Sequence, residues 1–244
     1  MGKKFKGKTC AYCGEREAVT GDHIFAREFF LPGNRANLPQ APICDECNNE
    51  KLKLEHYLTT VLPFGGRHSA SAEDLSSMVP KRLANNAKLH RELGSGQEQI
   101  LADGAMGEHS EAMTIPFDGE KLEQMLAMAA KGLISFHWCV TLGKGHDAKV
   151  YTVTKAGEQM FDRFFRGNVR DRVAGNLGDG TFTYEGVQAL DDPNITAWRF
   201  HIYGGLVSCE DTSSRQGIGS QVVVMTGPDA AFSSLKGEDG PPGE

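Results

Sequence analysis

An α+β protein in two parts is what the sequence predicts: a small N-terminal module stapled by cysteines, then a mixed α/β region with an antiparallel sheet. Three observations lead there. Two Cys-x-x-Cys pairs, Cys10/Cys13 and Cys44/Cys47, stand 30 residues apart in a segment rich in Gly, Asn and charge. Helical periodicity follows each end of that segment's successor, over 49–62 and 120–134. Beyond residue 134, short runs rich in Val, Tyr, Phe and Trp are set off by turn residues.

The module comes first. A short polar segment cannot bury enough apolar surface to hold itself together, so a staple is needed. Two residues between cysteines make a tight knuckle that wraps one face of an ion. Two knuckles supply four thiolates, which close a tetrahedral shell and leave no position for water. The ion expected at Cys10, Cys13, Cys44 and Cys47 is therefore structural Zn2+. Disulfides are the weaker reading, because MGKKFKGKTC is basic and lacks the apolar run of a secretory signal. Cys139 and Cys209 stand alone in apolar surroundings and read as buried free thiols.

The helical pattern NEKLKLEHYLTTVL (49–62) ends at Pro63 and Gly65-Gly66. Residues 73–93 read as one or two helices, with Pro80 kinking or starting the second. Residues 94–119 contain five glycines and read as a connecting loop. In 120–134, Leu122, Met125, Leu126, Ala129 and Leu133 form one stripe, a core-facing helix. Strands are expected over 136–142, 149–154, 196–209 and 221–226, with a short helix over 157–167. The domain division read from this pattern is 1–62, 63–119, 120–230, and a disordered tail over 231–244.

The net charge is −6, but it is unevenly spread: residues 1–60 carry +1 and the remainder −7. Four bases, Lys3, Lys4, Lys6 and Lys8, form a basic arm with two readings, phosphate contact or a solvated tail. No apolar run approaches the roughly eighteen residues of a membrane span, so a cytoplasmic protein without membrane contact is expected.

Between the knuckles lie Asp22-His23 and Asn37-Leu38, and the second knuckle runs into Asn48-Asn49-Glu50-Lys51. In this order and spacing the segment resembles the HNH endonucleases, or ββα-metal nucleases, in the subclass clamped by a four-cysteine zinc site. The resemblance covers about residues 8–60. It implies a ββα module that hydrolyses DNA phosphodiester bonds with one divalent cation. Asp22 and Asn48 would hold Mg2+ or Mn2+, His23 would be the general base, Asn37 would fix the loop and the histidine ring, and Lys51 would bind the flanking phosphate. The chemistry suits these residue types. A hard cation prefers oxygen ligands, and an imidazole with a pKa near about 6.5 is a competent base at neutral pH. Adjacent strand residues point to opposite faces, so Asp22 and His23 reach one site only through a bend or a curled carboxylate. One departure is Ala26, where many family members carry proline.

The resemblance implies DNA as partner, a targeted defence or mobile-element nuclease as context, and a C-terminal region that recognises substrate, dimerises or docks a protein partner. Two other readings stand beside it. One is a catalytically silent zinc module that binds nucleic acid or protein. The other is an effector nuclease active only with a partner or signal. His56 reads as a surface residue ahead of a metal ligand, and Arg67-His68 as a loop pair ahead of a nucleic-acid contact; His137, His146 and His201 share no metal-ligand spacing. Trp138, Trp198, Tyr151, Phe200 and Tyr203 read as core or cross-strand aromatics ahead of a base-stacking surface.

Overall fold

A computed structural model describes residues 4–103, 109–167, 169–205 and 218–234. Strand β1 (Thr20–His23) pairs antiparallel with β2 (Gln40–Ile43), Thr20 opposite Ile43 and His23 opposite Gln40. Helix α1 (Asp45–Gly65) follows at once, four residues earlier than the periodicity suggests. Asp45 and Glu46 in its first turn complement the helix dipole, and Pro63 falls in its last turn. The local order is thus strand, strand, helix. The first knuckle is tied to β2 through Ala11 N–H, which donates to Pro42 O at 2.9 Å.

Three short helices, α2 (Ser69–Ser77), α3 (Val79–Asn85) and α4 (Ala87–Ser95), fill the stretch read as one or two. Pro80 sits in the first turn of α3, where its missing N–H costs nothing. The Asn86 side chain caps α4 by accepting from Leu89 N–H at 3.1 Å. The expected loop over 94–119 contains a hairpin instead, β3 (Glu98–Asp103) with β4 (His109–Thr114), Glu98 opposite Thr114. A two-stranded ribbon lives on backbone pairing, so its residues show little apolar pattern.

Helix α5 (Gly119–Trp138) is longer than its stripe, and this corrects the strand expected over 136–142. The helix runs on through Phe136, His137 and Trp138 and stops at Cys139, which adopts the left-handed conformation (φ 55°). Cys139 is exposed there, not buried as expected. Cys209 and residues 235–244 lie outside the described residues. After α5 come β5 (His146–Thr154), α6 (Lys155–Arg166), β6 (Val169–Leu177), β7 (Phe182–Ala189), β8 (Thr196–Ile202), β9 (Ile218–Pro228) and α7 (Asp229–Ser234). The strands form one five-stranded antiparallel sheet in the order β5-β9-β8-β7-β6. Gly186 on β7 makes room for Trp198 on β8: a Cβ there would lie 2.3 Å from the indole.

One buried cluster runs from Cys10 and Cys44 through α5 to Trp198 and Val224 on the sheet. The connection between β1 and β2 drives it. Phe25 packs on Phe182 with ring centroids 5.2 Å apart, and Phe29 on the same ring at 5.0 Å. The Tyr203 hydroxyl bridges Phe29 O at 2.9 Å and Asp74 Oδ2 at 3.0 Å. Residue 62 is therefore no break in packing, because the N-terminal module and the C-terminal sheet share a core. Trp198, Phe200 and Tyr203 are fully buried in it, which settles their use as core rather than stacking platform.

Phe25, 1% exposed, tests that shared core. Phe25→Ala is expected to cost about 3–5 kcal/mol. Tryptophan emission, which reports on Trp138 and Trp198 far along the chain, should lose its urea midpoint accordingly. An unshifted tryptophan midpoint would mean the two parts unfold separately.

Candidate functional site

The four cysteine sulfurs lie within 4.8 Å of one another, with Cys13 and Cys44 at 4.0 Å. Metal–sulfur bonds near about 2.3 Å place tetrahedral sulfurs roughly 3.8 Å apart, so the cluster fits an ion such as zinc with little adjustment. Both knuckles are closed by backbone bonds: Gly14 N–H donates to Cys10 O and Asn48 N–H to Cys44 O, each at 3.0 Å. Burial pushes the Cys10 and Cys47 thiols up. Burial opposes ionisation of Cys13 too, but the backbone N–H groups of Arg16 and Glu15 outweigh it and bring that thiol to about 7. A bound cation would take all four as thiolates. Among the described residues this is the one group of Cys, His, Asp and Glu placed to hold a metal.

Asp22 and His23 are neighbours on β1 and face opposite sides of the ribbon. Asp22 turns toward the first knuckle and α1. Its Oδ2 accepts from the Tyr12 hydroxyl at 2.6 Å and lies 3.0 Å from Lys51 Nζ. Among the described residues Asp22 Oδ1 accepts no hydrogen bond, so it is open to a further ligand. The His23 ring faces the other way and meets the Gln40 amide, Nε2 to Nε2, at 3.0 Å. Burial lowers the His23 pKa below its usual value; Asp22 opposes this, while Arg27 and Lys51 add to it. Burial thus favours the neutral imidazole.

Lys51 departs from its expected role at a phosphate. It is 1% exposed, donates to His23 O at 2.8 Å, and pairs with both Asp22 and Glu55. Helical spacing correctly joins Lys51 to Glu55, but that face packs on β1 instead of opening to solvent. Asn48, half-buried in the first turn of α1, lies one turn before Lys51 on the same face. Asn37 is exposed in the turn before β2, in the left-handed conformation (φ 56°), and Gln40 takes the place expected for it beside the His23 ring. Ala26 has φ −53°, within reach of proline's fixed angle, so the missing proline leaves the backbone path unchanged.

Three participants escaped the sequence reading. Gln40 is signalled only by strand register, which sets it opposite His23. Tyr12 hides inside the first knuckle. Glu55 looks like a surface partner of Lys51, yet burial raises its pKa against the lowering influence of that lysine. The C-terminal histidines are scattered: the His137 ring meets the Tyr184 hydroxyl at 3.0 Å, and His56 is exposed. Among the described residues no helix is long and apolar enough to cross a membrane. Comparison with protein families, with characterised proteins and with solved structures finds no match.

Lys51 is the residue on which Asp22 and Glu55 both lean. Lys51→Met leaves two largely buried carboxylates without a cation and is expected to cost about 3–5 kcal/mol in urea unfolding. Adding Glu55→Gln should recover part of that loss. A single variant as stable as the parent would show that the ammonium is dispensable.

Proposed function

We propose that this protein is a divalent-metal-dependent endonuclease of the HNH type, a phosphodiesterase acting on DNA, with its hairpin and helix clamped by structural Zn2+ at Cys10, Cys13, Cys44 and Cys47. The observation that carries the reading is the arrangement of β1, β2 and α1 around the cysteine cluster. Asp22 and His23 stand on β1, Asn48 stands in the first turn of α1, and strand, strand, helix is the order that the reading requires.

Asp22 and Asn48 offer hard oxygen donors, the set that Mg2+ or Mn2+ accepts, and Tyr12 and Lys51 hold the carboxylate by Oδ2 with Oδ1 to spare. A bound cation would relieve charge on the scissile phosphate and on the departing 3′ oxygen. His23 would take a proton from the attacking water, which requires its ring to turn from the Gln40 side of β1 to the face that Asp22 presents. Gln40 decides which ring nitrogen is free for this. With its amide nitrogen on His23 Nε2, Gln40 donates to that atom's lone pair and leaves the ring proton on Nδ1, so Nε2 becomes the base when Gln40 gives way to water. The acidic remainder of the chain suits a nuclease brought to its target by recognition, through a protein partner or a second copy at the C-terminal sheet, as in defence or mobile-element systems.

One observation favours a second reading. The Lys51 ammonium already neutralises Asp22 from within. A zinc-clamped module that no longer cuts, or one that cuts only when a partner shifts α1 on β1, would keep such an internal cation.

The test uses zinc-loaded protein, supercoiled plasmid, and Mg2+ or Mn2+. Nicked or linear product that requires the added cation and falls by at least about 100-fold in His23→Ala is expected. Cleavage indifferent to His23 would overturn the assigned base. Folded, zinc-loaded protein that neither cuts nor binds Mn2+ would select the silent module.

A further inference from the structure

Lys51 is buried, so phosphate contact near His23 needs another source of positive charge. The basic arm supplies one. Phe5 is 8% exposed and packs against β1 at Gly21: a Cβ at that glycine would come within 2.2 Å of Phe5 Cδ2. Any side chain there would push the ring off the strand. Gly21 and His23 are two residues apart and so share one face of β1, the face on which Gln40 meets the His23 ring. Phe5 thus seats the arm on the histidine's side of the ribbon.

The arm is held in register as well as seated. Lys8 N–H donates to Phe5 O at 3.2 Å, Gly7 N–H to Ala18 O at 3.2 Å, and Ala18 N–H to Lys8 O at 2.7 Å. Gly7 makes the turn with φ 82°, which a side chain would strain. Lys4 and Lys8 carry their ammonium groups over the Phe5 ring, 5.2 and 5.7 Å from its centroid. Lys4, Lys6 and Lys8 are all exposed, and among the described residues none of them is in an ion pair. Glu17 is an acidic side chain beside the turn, near Gly7, and leaves Lys4, Lys6 and Lys8 with a net charge of +2.

We propose that Lys4, Lys6 and Lys8, seated on β1 through Phe5 and Gly21, form the contact that grips the DNA phosphate backbone beside His23. The inference rests on the nuclease reading for its choice of DNA. Gly21 and His23, two strand residues apart, are separated by about 6.6–7 Å, so a DNA strand passing His23 also passes the Phe5 seat of the lysines. Contacts of this kind position a duplex without reading its sequence.

The test measures binding apart from cleavage. Full-length, zinc-loaded His23→Ala protein without added Mg2+ is titrated against a fluorescent duplex by anisotropy, at salt from roughly 50 to 200 mM. In that background, Lys4→Gln/Lys6→Gln/Lys8→Gln is compared with a control, Lys81→Gln/Lys88→Gln/Lys144→Gln, which changes net charge equally. Each lost phosphate contact lowers the salt slope by about 0.9, so the arm variant should lose about 2–3 in slope and roughly tenfold or more in affinity at about 0.1 M salt. The control should keep the parent slope. An arm variant with the parent slope, or a control that loses as much, overturns the proposal. So does arm-dependent capture by vesicles rich in phosphatidylserine alongside arm-independent duplex binding. Arm-dependent duplex binding by a protein that cuts no plasmid would leave the arm in place and count against a nuclease active without a partner.

Discussion

Four cysteine sulfurs drawn to within 4.8 Å of one another set the geometry on which the N-terminal half depends. Strands β1 and β2 are four residues each, too short to persist as an isolated hairpin in water. The cluster joins the turn before β1 to the first turn of α1, so the strand and the helix start from one point. Everything downstream inherits that origin. Lys51 on α1 is turned onto β1 with Glu55 beside it, and the Ile24–Phe30 segment is aimed into the sheet. Thiols this close do not all ionise without a cation among them, so an ion bound here would tie metal binding to the chain path.

The second determinant is a charge taken into the interior. Lys51 joins Asp22, Glu55 and the His23 carbonyl in a nearly closed ring of contacts. Burying charge is costly even when paired. Such a network is kept for what it orients, and here it orients a carboxylate whose neighbour in sequence is a histidine. Tyr12, held between two cluster cysteines, donates to the same carboxylate. The metal cluster and the Asp22–His23 pair are thus linked through one hydroxyl. In the nuclease reading, this is how a structural ion would pre-set a catalytic one. In the silent reading, the lysine is the permanent occupant.

Some of this was legible in the sequence. Knuckle spacing announces a four-thiol cluster, because the chemistry of the site is local to two short stretches. The stripe through Met125, Leu126, Ala129 and Leu133 announces α5 because all four are buried on one face. Strands β8 and β9 show through Ala197–Ile202 and Val222–Met225, which are apolar enough to betray a sheet. Strands β6 and β7 do not. Arg170, Asp171 and Arg172 mark an exposed edge, and Gly186 is there for Trp198 rather than for β-propensity. The fate of Lys51 was hidden for a different reason. Helical period says which residues share a face, not what that face packs against. Gln40 was hidden by register, and Asn37 looked important where only its backbone angle is special.

The central claim is that a four-thiolate metal clamp holds the hairpin to the helix. Zinc K-edge X-ray absorption on the purified full-length protein tests it most directly. One zinc per chain with four sulfur neighbours at about 2.3 Å and no lighter ligand is expected. Nitrogen or oxygen in the first shell, fewer than four sulfurs, or folded protein free of metal would contradict it.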